Sequence, residues 1–113
     1  KSPYEWSHHV KIGKDFGVTD DDIRALIAES DGKDSGLPDL DRLVLCAARE
    51  ITTDGAVAAD SFAALEGHMS KEHLVDLTVT IAFYNAVVRF LGTMEMDVED
   101  SYQPYLDAFP LPE

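Results

Sequence analysis

Cysteine is nearly absent. Cys46 is the only one in 113 residues, so no intrachain disulfide can form and a reducing, cytoplasmic setting is the expectation. Cations are scarce too: nine Lys and Arg face 22 Asp and Glu, a net charge of −13, which leaves no basic patch for nucleic acid or for an anionic membrane surface. A long uninterrupted apolar run is also missing, because the stretch from Leu74 to Leu91 is broken by Asp76, Thr78, Thr80, Tyr84, Asn85 and Arg89, too many polar groups for an easy membrane span. No Gly-rich phosphate loop, Walker motif or nucleophile elbow occurs, and no signal peptide or lipidation motif is visible at the start as given. The chain opens at Lys1 rather than Met, as a processed product or a fragment would.

What is present fits one modest core, and a single domain over residues 1–113 is expected. The stretch Ser2 to Gly17 reads as a helix with signals at both ends: Ser2 as cap, Pro3 at the first helical position, Glu5 completing a capping-box pattern, and Gly17 as the stop. Thr19 caps a second helix to Ser30, whose acidic start Asp20-Asp21-Asp22 suits a helix N-terminus better than a metal site, and the short Gly17-Val18 turn predicts that the two helices pack antiparallel. A loop over Asp31 to Pro38 precedes a third helix, capped by Asp39 and running to about Ile51, with Leu40, Leu43, Val44, Ala47 and Ile51 as its core stripe. A fourth helix spans Asp60 to Glu66 and stops at Gly67. The fifth and longest follows Ser70, from Lys71 to about Gly92; Leu77 to Ile81 alone favours a strand, but length, caps and Leu and Ala content decide for helix. Apolar nearly all round, it belongs in a core or an interface. The tail, with Pro104, Pro110 and Pro112, cannot be one long helix, yet Tyr102, Tyr105, Leu106 and Phe109 give it reason to dock. The fold class is therefore all-α, about five helices.

Chemistry concentrates on the first helix. At ~100° per residue, Ile12, Glu5, Phe16, His9, Trp6 and Val10 share an arc of roughly 160°, while Tyr4, Ser7, His8, Lys11, Lys14 and Asp15 take the solvated side. Glu5 and His9 thus fall on the apolar face, one helical turn apart. Two readings stand: an acid–base pair, or a capping-box glutamate beside a satisfied core histidine. On the long helix, Asn85 and Arg89, with Thr78 on the same side, can meet a substrate carboxylate or form a polar interface between subunits, and Tyr84 shares another side with Thr80 and His73. His68, Glu72 and His73 lack zinc-site spacing, so no metal is expected. Cys46, without a resolving partner, reads as a core residue.

Taken together, Tyr4-Glu5-Trp6-Ser7-His8-His9-Val10, Gly17-Val18-Thr19, Ile23, Leu40 to Ala48, Asp54-Gly55, Phe62 to Leu65 and Tyr84-Asn85 make the chain resemble the carboxymuconolactone decarboxylase family, the superfamily that includes the alkyl hydroperoxidase D proteins. The resemblance covers nearly the whole chain. It implies an all-α fold of that family's type, assembly into trimers or hexamers, and a small organic acid or lactone as substrate, with no cofactor. It carries over His9 as proton donor and Glu5 as its partner or base, with Trp6, Tyr84, Asn85 and Arg89 toward the substrate. It also implies two or three helices ahead of this stretch, which a separate chain would have to supply. Peroxidase members carry a CxxC pair where this chain has Ser2 and Glu5, so an alkyl hydroperoxidase activity lacks its thiols. The alternatives are a lyase or isomerase working by acid–base chemistry, and a member without chemistry that serves in assembly or small-ligand binding.

Overall fold

In the computed structural model, which describes residues 2–111, six helices and no strand are found among the described residues: α1 (Pro3–Asp15), α2 (Asp20–Ser30), α3 (Asp39–Asp54), α4 (Ala59–Glu66), α5 (Lys71–Thr93) and α6 (Gln103–Ala108). The all-α expectation holds, and the sixth helix is a short one in the proline-bearing tail. Most local signals act where the sequence placed them, although at Ser2 only the serine half of the expected capping box forms and the Glu5 carboxylate turns to His9. Ser2 Oγ accepts the Glu5 N–H (3.3 Å), and Thr19 and Asp22 form a full capping box. At the end of α1, Val18 N–H reaches back to Gly13 O (2.8 Å) and Gly17 N–H to Lys14 O (3.1 Å). This closure needs a left-handed residue, and Gly17 supplies it at φ 97°. The third helix departs from expectation: Pro38, not Asp39, occupies the cap without a side-chain bond, and the helix continues to Asp54.

The chain divides into two compact units, residues 1–36 with 88–113, and residues 37–87. In the first, α1 packs chiefly on α6, rather than on α2 as the short turn had suggested. Val10, Ile23 and Phe109 are the buried cluster, flanked by Trp6, Ile27 and Tyr105. Phe109 is 3% exposed. Trp6 Nε1–H donates to the Phe109 carbonyl (2.6 Å), and Lys14 and Arg24 stand 5.6 and 5.7 Å from the centre of its ring. The tail therefore docks on its own unit.

That docking sets the roll of α1. The buried residues of the helix are Ser7 and Val10, while Ile12 is 44% and Phe16 87% exposed. The buried arc is thus turned by roughly 100°, about one residue, toward Ser7. Ser7 is fully buried, against its expected place on the solvated side, and its hydroxyl is satisfied by donating to Tyr4 O (3.0 Å).

In the second unit, Ala47, Leu65 and Leu74 form the core, with Leu40, Leu43 and Val44 of the expected stripe packed on it. The part of α5 in this unit buries little: Val75, Val79 and Phe83 are 61%, 60% and 61% exposed, contrary to a central core place. By length and composition alone, α5 is long and apolar enough to cross a membrane, at mean hydropathy 1.5.

Because Phe109 anchors the tail, Phe109→Ala should cost about 3–5 kcal/mol of stability, the usual range for emptying a buried phenylalanine site. The sole tryptophan, Trp6, reports the same event. We expect a lower denaturant midpoint and a red-shifted native emission; an unchanged midpoint would place the anchor elsewhere.

Candidate functional site

Two polar centres grow from the first turns of α1, and both use the same local device. His8 Nδ1 lies 2.8 Å from Tyr4 O, and His9 Nδ1 lies 3.0 Å from Glu5 O. A carbonyl oxygen can only accept, so in each ring Nδ1 carries the proton and Nε2 is the basic nitrogen of the neutral form.

Around His9 the second contact is local as well. Glu5 Oε1 stands 3.1 Å from the same Nδ1, with the Glu5 side chain 19% and the His9 side chain 44% exposed. The expected pair is therefore formed, but at the surface and not against the core. Its neighbours on that side of α1 are the exposed Ile12 and Phe16. A carboxylate against Nδ1 fixes the tautomer, leaving Nε2 as the atom able to move a proton.

Around His8 the surroundings are tertiary. Its ring is stacked between Tyr4 (4.2 Å between centroids) and Tyr102 (3.7 Å), and Nε2 lies 3.4 Å from Glu99 Oε2. Partial burial, then the charge of Glu99 and a side-chain hydrogen bond to it, hold the Tyr4 phenol above its ordinary value. The helical spacing of Tyr4 and His8 was visible in the sequence. Glu99 and Tyr102, more than ninety residues away, were not.

The other candidates are dispersed. Trp6 has its one polar atom committed to the Phe109 carbonyl, so it holds the tail. Tyr84 belongs to the second unit and meets Phe83 edge to face at 5.7 Å. Asn85, in the same unit, donates to Thr52 Oγ1 (3.1 Å) and Ile81 O (3.1 Å), tying α5 to α3 within one chain. Arg89 falls in the first unit on the continuation of α5, is exposed, and its carbonyl accepts from Thr93 Oγ1 (2.7 Å). Among the described residues no His, Cys, Asp and Glu group could hold a metal ion.

Two features of the second unit escaped the sequence reading. A groove of about 390 Å³ lies along α4 and α5, floored by Phe62, Leu74, Val75 and Val79, with Glu66 and Lys71 as its charged lining; of the candidate residues, Thr78 lines it. In addition, Glu50 closes the start of α4, which lacks a side-chain cap of its own. Its Oε2 accepts the Ala58 N–H (2.9 Å) and its Oε1 accepts from Ser61 Oγ (2.8 Å) and Cys46 Sγ (3.5 Å). Cys46 is accordingly a half-buried donor in a structural clamp.

Comparison of the chain with protein-family models, curated proteins and solved structures found no match.

The Glu50 clamp has a pH signature. The Ala58 N–H first, then the Ser61 hydroxyl, hold its carboxyl below the ordinary glutamate range; partial burial opposes them and the Cys46 thiol adds a smaller lowering. A lowered folded-state value means the clamp stabilises the protein at neutral pH and is lost as pH falls through that value. Glu50→Gln should therefore lower the melting temperature at pH 7, with the difference from wild type shrinking as pH falls below the ordinary glutamate range. A difference independent of pH would show that the charge is not what matters.

Proposed function

We propose that the protein is a cofactor-independent lyase or isomerase of the carboxymuconolactone decarboxylase type, acting on a small organic acid or lactone through His9 and Glu5. The observation that carries this reading is the 3.1 Å contact between Glu5 Oε1 and His9 Nδ1 on a face open to solvent. In a decarboxylation, the bond to the carboxyl carbon breaks and carbon dioxide leaves. The electron pair passes into the neighbouring unsaturated carbonyl system, and the imidazolium Nε2–H of His9 protonates carbon. Glu5 balances the charge on the ring while the proton waits there. An isomerisation uses the same two groups, with Nε2 removing a proton beside a carbonyl and returning it to another carbon. Of the residues that the resemblance supplies toward the substrate, Trp6 and Arg89 share a unit with His9, and Trp6 gives its one polar atom to the Phe109 carbonyl.

The test is carbon dioxide release from carboxymuconolactone by wild type, His9→Ala and Glu5→Gln, each verified as folded by circular dichroism. A proton-transfer role predicts a loss of about 10²–10⁴-fold in kcat for His9→Ala, and a smaller loss for Glu5→Gln. Wild-type turnover by both variants would remove the assigned roles. Peroxide consumption with a dithiol reductant is the control for the hydroperoxidase alternative, which one cysteine in the whole chain cannot support by an intrachain disulfide cycle.

A second reading has its own observation. Val75, Val79 and Phe83 repeat every four residues on α5 and are each about 60% exposed, an apolar stripe of the kind that marks association surfaces. On this reading the chain is an assembly or small-ligand-binding member of the family, a trimer or hexamer in the cytoplasm, with or without chemistry. Val79→Asp in the middle of the stripe should reduce the native mass to that of one chain while leaving helix content intact. An unchanged oligomer, or a wild-type monomer, would count against it.

A further inference from the structure

His8 is not among the residues to which the proposed chemistry gives a role, yet it has the most constrained surroundings of the chain's histidines. Its Nδ1 is held as a donor by the Tyr4 carbonyl at 2.8 Å, so any change of charge must occur at Nε2. Nε2 in turn lies 3.4 Å from Glu99 Oε2. In the neutral ring, a lone pair on Nε2 faces a carboxylate oxygen, and the contact is repulsive. In the imidazolium, Nε2–H faces the same oxygen as an ion pair, and the cation lies between the rings of Tyr4 and Tyr102 at 4.2 and 3.7 Å.

The residues it grips are the two ends of one turn. Tyr102 N–H donates to Glu99 O (2.8 Å), closing the turn that leads into α6. We infer that His8 is a pH-operated latch for the tail: protonated, it clamps the Glu99–Tyr102 turn to α1, and neutral, it lets that turn loosen while Phe109 stays anchored. The inference is independent of the lyase reading.

Other titratable groups around the ring do not share its range. On α1 these are the Tyr4 phenol, held above its ordinary value by burial and by Glu99, and Lys11, which lies near enough to Tyr102 and Tyr105 to feel both phenols. From the turn come Glu99 and Tyr102, and from α6 comes Tyr105, whose ring lies 6.2 Å from that of Tyr102. Carboxylates stay ionised and phenols neutral between about pH 5.5 and 8, where an imidazole changes charge.

The experiment is amide hydrogen exchange of the full chain at pH 5.5 and 8, with rates corrected for intrinsic exchange, read on peptides spanning 98–109. The Glu99 side chain is half exposed, so the expected effect is modest, about two- to fivefold greater protection at pH 5.5. His8→Gln and Glu99→Gln should each abolish the pH dependence, whereas His9→Gln should keep it. His8→Phe, which retains a flat ring in the stack without a charge, should give protection independent of pH. Should His8→Gln fail to fold, Glu99→Gln at its half-exposed position carries the test. Equal protection at both pH values in wild type, or an undiminished pH dependence in Glu99→Gln, would overturn the latch.

Discussion

The insertion of Phe109 into the first unit is the constraint from which the arrangement of α1 follows. A phenylalanine six residues past the start of a short helix has nowhere local to bury itself, so it draws the whole tail onto α1 and α2. The indole N–H of Trp6 then satisfies the carbonyl of the same residue, joining apolar burial and a hydrogen bond at one position. With that side of α1 occupied, the helix can have only one roll. Ser7 and Val10 go inward, and Glu5, His9, Ile12 and Phe16 come to an open face.

This roll gives two adjacent histidines different prospects. Each has its Nδ1 proton held by the carbonyl four residues back, so their intrinsic chemistry is nearly the same. His9 has a carboxylate from its own helix and a side chain close to half exposed. The Nε2 of His8 is already matched to a carboxylate from the tail and its ring is covered on both faces, which suits it to holding structure. Proton transfer needs access as well as a partner, and only the first of these environments combines the two.

The second unit poses the opposite problem, too much apolar surface for the core it builds. Ala47, Leu65 and Leu74 are its buried residues, and the outward side of α5 presents valine and phenylalanine to solvent next to a groove lined by Glu66 and Lys71. Glu50 meanwhile spends a charge on closing the start of α4, where the sequence provides no capping side chain. Such a unit is well fastened internally and open externally, the combination that the assembly reading requires.

Much of this was legible from the chain alone, because helix signals are local. Ser2, Thr19 and Gly17 act through bonds spanning a few residues, so the helices, most of their ends and the all-α class follow from sequence, as does the meeting of Glu5 with His9 one turn later. Even locally, Asp39 was given a cap that Pro38 occupies, since a carboxylate caps only if its backbone lies outside the helix. Which side of a helix is buried is a different matter: hydrophobic periodicity put Ile12 and Phe16 inside and Ser7 outside, and the docked tail reversed both. The partners of His8, Trp6 and Asn85 come from distant segments, or in the case of Asn85 from another helix, and no spacing rule reaches them. Sequence thus determined the helices and the local pair, whose interactions close within one or two turns; tertiary structure alone decided which of those groups are buried, clamped or open, because burial depends on what the rest of the chain brings alongside.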